Sequence, residues 1–218
     1  MTFVIEKLAK NKIFMDTNNS TNPDVMDLKN KFQTSELELK INGFFETDII
    51  INTAGKFETK LADKTTFNSL ASVISANVNL QNTNQDIILN GYSIKNDRTV
   101  KKYLQQNCLI IDENVCLLQR LSTKDNLKLA SILFSGFDLS HACLSAFSLK
   151  NIENVEIHNL TQNQKQMIIL AYTICCPSII WIIKNTLLKG LDNDELALFN
   201  NTMNIRIKHG GVAIIVDE

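Results

Sequence analysis

The chain has 218 residues, enough for one domain with a sizeable buried core and a short arm. Its 44% hydrophobic and 21% charged residues are ordinary for a globular protein, and a formal net charge of −1 argues against recognition of nucleic acid or membrane through bulk charge. The five cysteines show no CxxC spacing and are odd in number, which speaks for reduced core thiols and against a disulfide framework.

In chain order, residues 1–30 read as an N-terminal arm and linker. The opening MTFVIEKLAKNKIFMD is too interrupted by charge for a secretory apolar segment, and TNNSTNPD (17–24) is a polar turn cluster ahead of a domain over 31–218. Leu37, Leu39 and Ile41 alternate with Glu38 and Lys40, the pattern of a half-exposed strand. The run DIIIN (48–52) suggests a central strand covered on both faces. Residues 65–74 put Phe67, Leu70, Ala71 and Ile74 at helical spacing. A strand over 87–90 turns at Gly91, a short buried strand follows over 109–111, and residues 140–149 look helical. Residues 160–174 open polar and continue as a helix, Pro177 breaks it, and IIWII (179–183) is a buried strand. The uncharged stretch 167–183 is short for a membrane span and split by that proline, so helix plus strand is preferred. A helix over 193–208 stops at Gly210-Gly211 before a last buried strand, 212–216. Strands alternating with helices predict an α/β fold with a mainly parallel sheet.

Two segments carry candidate chemistry by residue type. ETKLADKTT (58–66) lies between a strand and a helix, where a loop can wrap phosphates with backbone N–H groups, a Lys can reach the β/γ-phosphates and a Ser/Thr can hold magnesium. Lys64 and Thr65, followed by Thr66, take those places. The glycine places, however, hold Glu58, Leu61 and Asp63. Added Cβ atoms and two carboxylates beside an anion oppose binding. The distance from 48–52 is also roughly four residues too long for that motif. A rival frame on Ala54-Gly55-Lys56 keeps a Gly-Lys pair but leaves the next strand too far downstream. In the second segment, LSTKDNL (121–127), Ser122 or Thr123 can cap a helix whose dipole favours Asp125.

The order of these segments resembles the ATP-binding domain of ABC transporters over roughly residues 32–218. DKTTFNSLA resembles the end of the family's phosphate loop, QDIILNGYSI (85–94) its antiparallel segment, and LTQNQ (160–164) its LSGGQ signature. LSTKDNL resembles LTVxENL, Leu191-Asp192 the D-loop, and GGVAIIV (210–216) the strand before the switch histidine. By this resemblance Glu113 holds the glutamine-loop position, and Thr161, Gln162, Asn163 and Gln164 hold the signature. Lys184 and Asn185 hold the Walker B carboxylate positions (Asn185 and Thr186 if Leu191-Asp192 sets the alignment), and Glu218 holds that of the switch histidine. His158, ahead of the signature, is read as a turn residue. IIWII, the short length and GGVAII most resemble the haem-exporter branch of cytochrome c maturation, while the QNCLII…LL segment also resembles the cell-division and lipoprotein-release ABC ATPases.

The resemblance implies a P-loop NTPase-like α/β domain with a mainly parallel sheet, a small antiparallel subdomain and a helical insertion over about 124–157. It implies an integral membrane subunit of an ABC transporter as partner, a homodimer or heterodimer with an ABC ATPase, and no nucleic acid. The place would be peripheral, on the cytoplasmic face of the inner membrane, or on the matrix side if mitochondrial. An asparagine-, lysine- and isoleucine-rich, glycine-poor composition hints at an AT-rich genome. With the phosphate-loop glycines, both Walker B carboxylates and the switch histidine replaced, no hydrolysis is expected, no cofactor is expected, and ATP/Mg binds at most weakly. Two roles remain: a non-catalytic scaffold on a membrane partner, or a divergent ATP-hydrolysing subunit that completes its site with an intact partner domain. The docking region is expected around Glu113 and 121–127, with Leu117 and Leu121 among its apolar anchors.

Overall fold

The computed structural model describes residues 38–52, 54–60, 66–75, 80, 83–113, 115, 117–176 and 178–217. The arm and linker, Lys64, Thr65 and Glu218 lie outside these residues.

The framework is a four-stranded parallel sheet in the order β3 (Gly55–Lys60), β8 (Val212–Asp217), β7 (Ile180–Lys184), β6 (Cys108–Ile111). Side chains alternate between its faces, and both faces are covered. Trp181, Ile183, Ala213 and Ile215 pack with the helical half of the molecule. Ile180, Ile182, Val212, Ile214 and Val216 pack with the antiparallel half. A strand buried on both sides can be written as an unbroken apolar run, which is why 179–183 and 212–216 carry no polar alternation.

The second sheet is antiparallel, in the order β2 (Ile49–Ile51), β1 (Leu39–Asn42), β4 (Asp86–Leu89), β5 (Tyr92–Ser93). Leu89 pairs with Tyr92 across a two-residue loop in which Asn90 (φ 49) and Gly91 (φ 82) are both left-handed. That is the primed turn whose twist suits a hairpin, and Asn-Gly is its preferred pair. Helices α1 (Thr66–Ser75) and α2 (Arg98–Asn107) lie between the two sheets' elements in sequence and contribute Phe67, Leu70, Val100 and Leu104 to their common core.

DIIIN is corrected here. It supplies β2 of the antiparallel sheet and does not join the parallel one. Ile49 and Ile51 are buried while Ile50 is 58% exposed, so the strand covers one face only. Three consecutive isoleucines suit either burial pattern, and only pairing decides between them. The parallel strand before α1 is instead GKFETK, 55–60, a polar-looking edge strand. This removes the apparent excess spacing: only 61–65 separate the strand from the helix.

Between β6 and β7 the chain builds a helical unit from α3 (Thr123–Ser135), α4 (Ser140–Ala146), two short 3-10 turns (Leu149–Ile152 and Ile157–Asn159) and α5 (Gln162–Cys175). Each long helix here has a readable start. Ser122 Oγ accepts from the Asp125 N–H, and α3 ends on Gly136 at φ 76, the left-handed stop that glycine adopts without strain. Thr161 and Gln164 form a reciprocal capping box on α5. After β7 come the single turn α6 (Thr186–Lys189) and α7 (Asn193–Lys208), the latter opened by a capping box of Asp192 and Glu195.

Candidate functional site

In open sheets of parallel strands, ligands gather beyond the carboxyl ends, where the strands give way to loops and helix N-termini. Here β6 runs out at Ile111, β7 at Lys184, β8 at Asp217 and β3 at Lys60. Several charged and polar side chains meet at that edge.

Lys184 is the last residue of β7 and is 9% exposed. Its ammonium donates to Glu113 Oε1 at 2.6 Å, on the loop after β6. The other oxygen, Glu113 Oε2, accepts from Thr186 Oγ1 at 3.3 Å, at the start of α6. The ammonium also lies 6.0 Å from the ring centroid of Phe67, in the first turn of α1. One buried cation thus ties together the ends of two parallel strands and faces the helix that follows 61–65.

Beside it stands a second cluster. Asp217, closing β8, accepts from Lys189 Nζ at 2.6 Å and from Asn185 Nδ2 at 3.0 Å. The Asn185 N–H donates to Val216 O at 2.8 Å, so the turn after β7 is stitched to β8.

The electrostatics follow from these contacts. Partial burial pushes the Glu113 carboxyl upward, but the hydrogen bond and charge of Lys184, a backbone hydrogen bond and Thr186 together hold it below its ordinary value. The Asp217 carboxyl is lowered by the hydrogen bonds of Lys189 and Asn185, with the charges of Lys189 and Lys60 adding. Both carboxylates stay ionised, and each is answered by a lysine.

A magnesium ion does not suit the described part of this edge. Divalent ions of that kind take carboxylates and phosphate oxygens. Here the end of β7 carries an ammonium, and the Glu113 carboxylate beside it is already bonded to it. Among the described residues, no three His, Cys, Asp or Glu side chains are placed to hold a metal ion.

The expected site residues fall as follows. Lys184, Asn185 and Glu113 meet at the edge. Glu58 is corrected: it sits inside β3 opposite Ile215, not in a loop. Gly55-Lys56, the rival frame, opens that same strand. Thr66 is the first residue of α1. Gln162 and Asn163 form the first turn of α5, and Thr161 accepts from the Gln164 N–H at 3.3 Å while Gln164 Oε1 accepts from the Thr161 N–H at 2.9 Å. That reciprocal bonding holds the helix opening closed on itself. His158 sits in a 3-10 turn with Nδ1 3.2 Å from Gln119 O. Asp217 and Lys189 were not expected. The available signal was positional, since Asp217 ends an apolar strand just as Lys184 does.

Leu117, expected as a docking anchor, is 7% exposed and belongs to the core. The exposed apolar side chains nearby are Leu118, Leu129, Ile132, Leu133 and Phe137. The three from α3 follow an i, i+3, i+4 stripe opposite the face that buries Leu127 and Ala130.

No family model matches the chain. It is similar to curated cytochrome c biogenesis ATP-binding export proteins CcmA: 22% identical over 108 residues to that of Rickettsia conorii, covering 50% of this chain and 56% of the relative. With that of Paracoccus denitrificans it shares 28% over 95 residues, 44% of each chain. With that of Ruegeria pomeroyi it shares 30% over 95 residues, 44% of this chain and 46% of the relative. The chain spans about half the length of the curated relatives it matches. Among solved structures, a putative ABC transporter ATP-binding protein from Pyrococcus furiosus superposes with a TM-score of 0.60 at 17% identity, over 84% of this chain and 92% of that one. An ATP-binding subunit of an ABC transporter superposes with a TM-score of 0.61 at 16% identity, over 84% and 80%. The fold is that of ABC-transporter ATP-binding proteins, and about half of the chain is similar in sequence to cytochrome c biogenesis ATP-binding export proteins.

Proposed function

We propose that the chain is a non-catalytic ABC-type subunit that serves as a scaffold on an integral membrane partner, in a haem-export or cytochrome c maturation complex at the cytoplasmic face of the membrane. The observation that carries this reading is the Lys184–Glu113 ion pair at the carboxyl edge of the sheet. Phosphoryl transfer by P-loop proteins rests on positioning phosphates and magnesium against a polarised water. An edge that presents a buried ammonium where the metal's carboxylate belongs, and that pairs off its own charges, has nothing to position. The similarity to curated export proteins supports the type of complex. No helix among the described residues is long and apolar enough to cross a membrane.

The apolar stripe Leu129, Ile132 and Leu133, with Leu118 and Phe137 beside it, is the surface this reading assigns to that partner. Five side chains fall well short of the roughly 20–30 residues a side of a standard protein interface. They suit a short amphipathic helix laid across α3.

The test is ATP turnover by the purified protein with magnesium. No turnover is expected above a control without protein, and nucleotide binding is expected to be weak or absent. Magnesium-dependent hydrolysis that disappears in Lys64→Ala would overturn the reading in favour of a working, divergent ATPase.

A further inference from the structure

We propose that Cys143 and Cys175 form an oxidisable dithiol site inside the helical unit, at which hydrogen peroxide closes one intramolecular disulfide and joins α4 to the carboxyl end of α5. The site lies in the helical core, away from the sheet edge, and does not depend on the proposed function.

Its geometry comes from the packing of three helices. Cys143 lies in the middle of α4, and Cys175 is the last residue of α5. Their sulfurs are 3.2 Å apart although 32 residues separate them in the chain. Cys175 Sγ also donates to the Leu127 carbonyl of α3 at 3.7 Å. Both thiols are 0% exposed and belong to one core with Leu127, Leu144 and Ala171. A buried cysteine by itself is a small apolar filler. Two that face each other can do more, because a disulfide bond is about 2 Å long and these sulfurs need close by only about an ångström. The next thiol along the chain is arranged otherwise: Cys176 turns its sulfur to Ser178 Oγ at 2.9 Å.

The surroundings select the oxidant. With both sulfurs buried, a bulky disulfide such as that of glutathione has no approach to them, whereas hydrogen peroxide is little larger than water. Helix α4 supplies the way in. It is seven residues long, and the segments on either side of it carry left-handed residues, Gly136 at φ 76 and Ser148 at φ 54. A helix of that length is held by packing alone, and such units open locally at far less than the cost of global unfolding. The Cys175 thiol is held above its ordinary value by its hydrogen bond with Cys143 and by burial, so thiolate is scarce and the closed pair reacts slowly.

In the step itself, one of the two sulfurs, as thiolate, attacks a peroxide oxygen. The O–O bond breaks, a sulfenic acid forms, and the leaving hydroxide takes up the released proton as water. The second sulfur then attacks the sulfenic sulfur. The S–S bond forms, and the displaced hydroxyl leaves as water with the second thiol's proton. The two thiols together lose two electrons, and one peroxide is reduced to two waters.

Peptide mapping tests this. The folded, reduced protein is exposed to hydrogen peroxide, blocked with an alkylating agent in denaturant and cut with trypsin, which leaves Cys143 in the peptide 129–150 and Cys175 in the peptide 166–184. The expected product is these two peptides joined, with fragmentation placing the bond at Cys175 and not at Cys176, and with dithiothreitol separating them. Cys176→Ser is expected to leave the link in place, and Cys175→Ala to remove it. Cys143 and Cys175 both still alkylated, after exposure many times as long as the unfolded chain needs to lose its thiols, overturn the inference. So does a product in which either one is a sulfinic acid or is bonded to a different cysteine or a second chain. If Cys175→Ala does not fold, the wild-type map still decides. Failure here leaves the proposed function untouched, since that is read by ATP turnover.

Discussion

Lysine is among the residues least often buried, because its ammonium must be desolvated and then answered by a partner. At the end of β7 it is answered by Glu113, and at the end of β8 the polarity reverses, with Asp217 answered by Lys189. These pairs make stability depend on pH with a definite sign. The carboxyls of Glu113 and Asp217 lie below their ordinary values in the folded protein. Their contribution is therefore present above the ordinary carboxylate pKa, near 4, and is lost as pH falls through the lowered folded values. Glu113→Gln is expected to lower stability by about 1 kcal/mol near neutrality, the upper range for a partly exposed pair. The gap between the two melting temperatures should close as the pH falls through the lowered folded value of Glu113. A gap of constant size across that range would show that Glu113 acts by packing and not by charge.

At the scale of the element, the helix openings and the two faces of α3 set what can be changed. The Thr161 side chain satisfies one N–H of α5, and its replacement by Ala is expected to cost about 1 kcal/mol in a urea titration. On α3 the outcome depends on the face. Leu133, 72% exposed, should accept Asp with no loss of fold and with reduced recovery of membrane partners from detergent extracts. Just ahead of the helix, Leu117→Asp should fail to fold, since it places a charge where the loop packs into the core. Circular dichroism of the two variants separates the cases before any binding is measured. Equal recovery by folded Leu133→Asp and wild type would remove α3 from the docking surface.

At the scale of the whole molecule, the parallel sheet joins two cores, and Trp181 is the largest fully buried side chain on its helical face. The Arg206 guanidinium stacks 5.6 Å from its ring centroid and donates to Cys176 O, which clamps α7 over the sheet. Trp181→Ala is expected to cost about 3–5 kcal/mol, the usual result of emptying an aromatic site in a close-packed core. Chemical denaturation followed by circular dichroism measures it. The wild-type transition can also be followed through the fluorescence of this sole tryptophan. A cost below about 1 kcal/mol would mean that the helical half does not depend on Trp181 for its packing on the sheet.

The sequence by itself determined the elements whose signals are local. The apolar runs 179–183 and 212–216 gave buried strands, Ser122 capped a helix, the strand ahead of Gly91 ended in a tight turn, and the motif order pointed to the ABC-type fold. Lys184, Asn185 and Glu113 were named through the resemblance, and the structure places Lys184 and Asn185 at the end of β7 and Glu113 on the loop after β6. Tertiary structure decided the rest. DIIIN went to the antiparallel sheet and the polar GKFETK to the parallel one, because partner strands and not periodicity choose a sheet. It also decided that Glu113 and Lys184, 71 residues apart, form one ion pair. Charge pairing across such a separation depends on how crossovers bring strand ends together, and no short-range pattern encodes it.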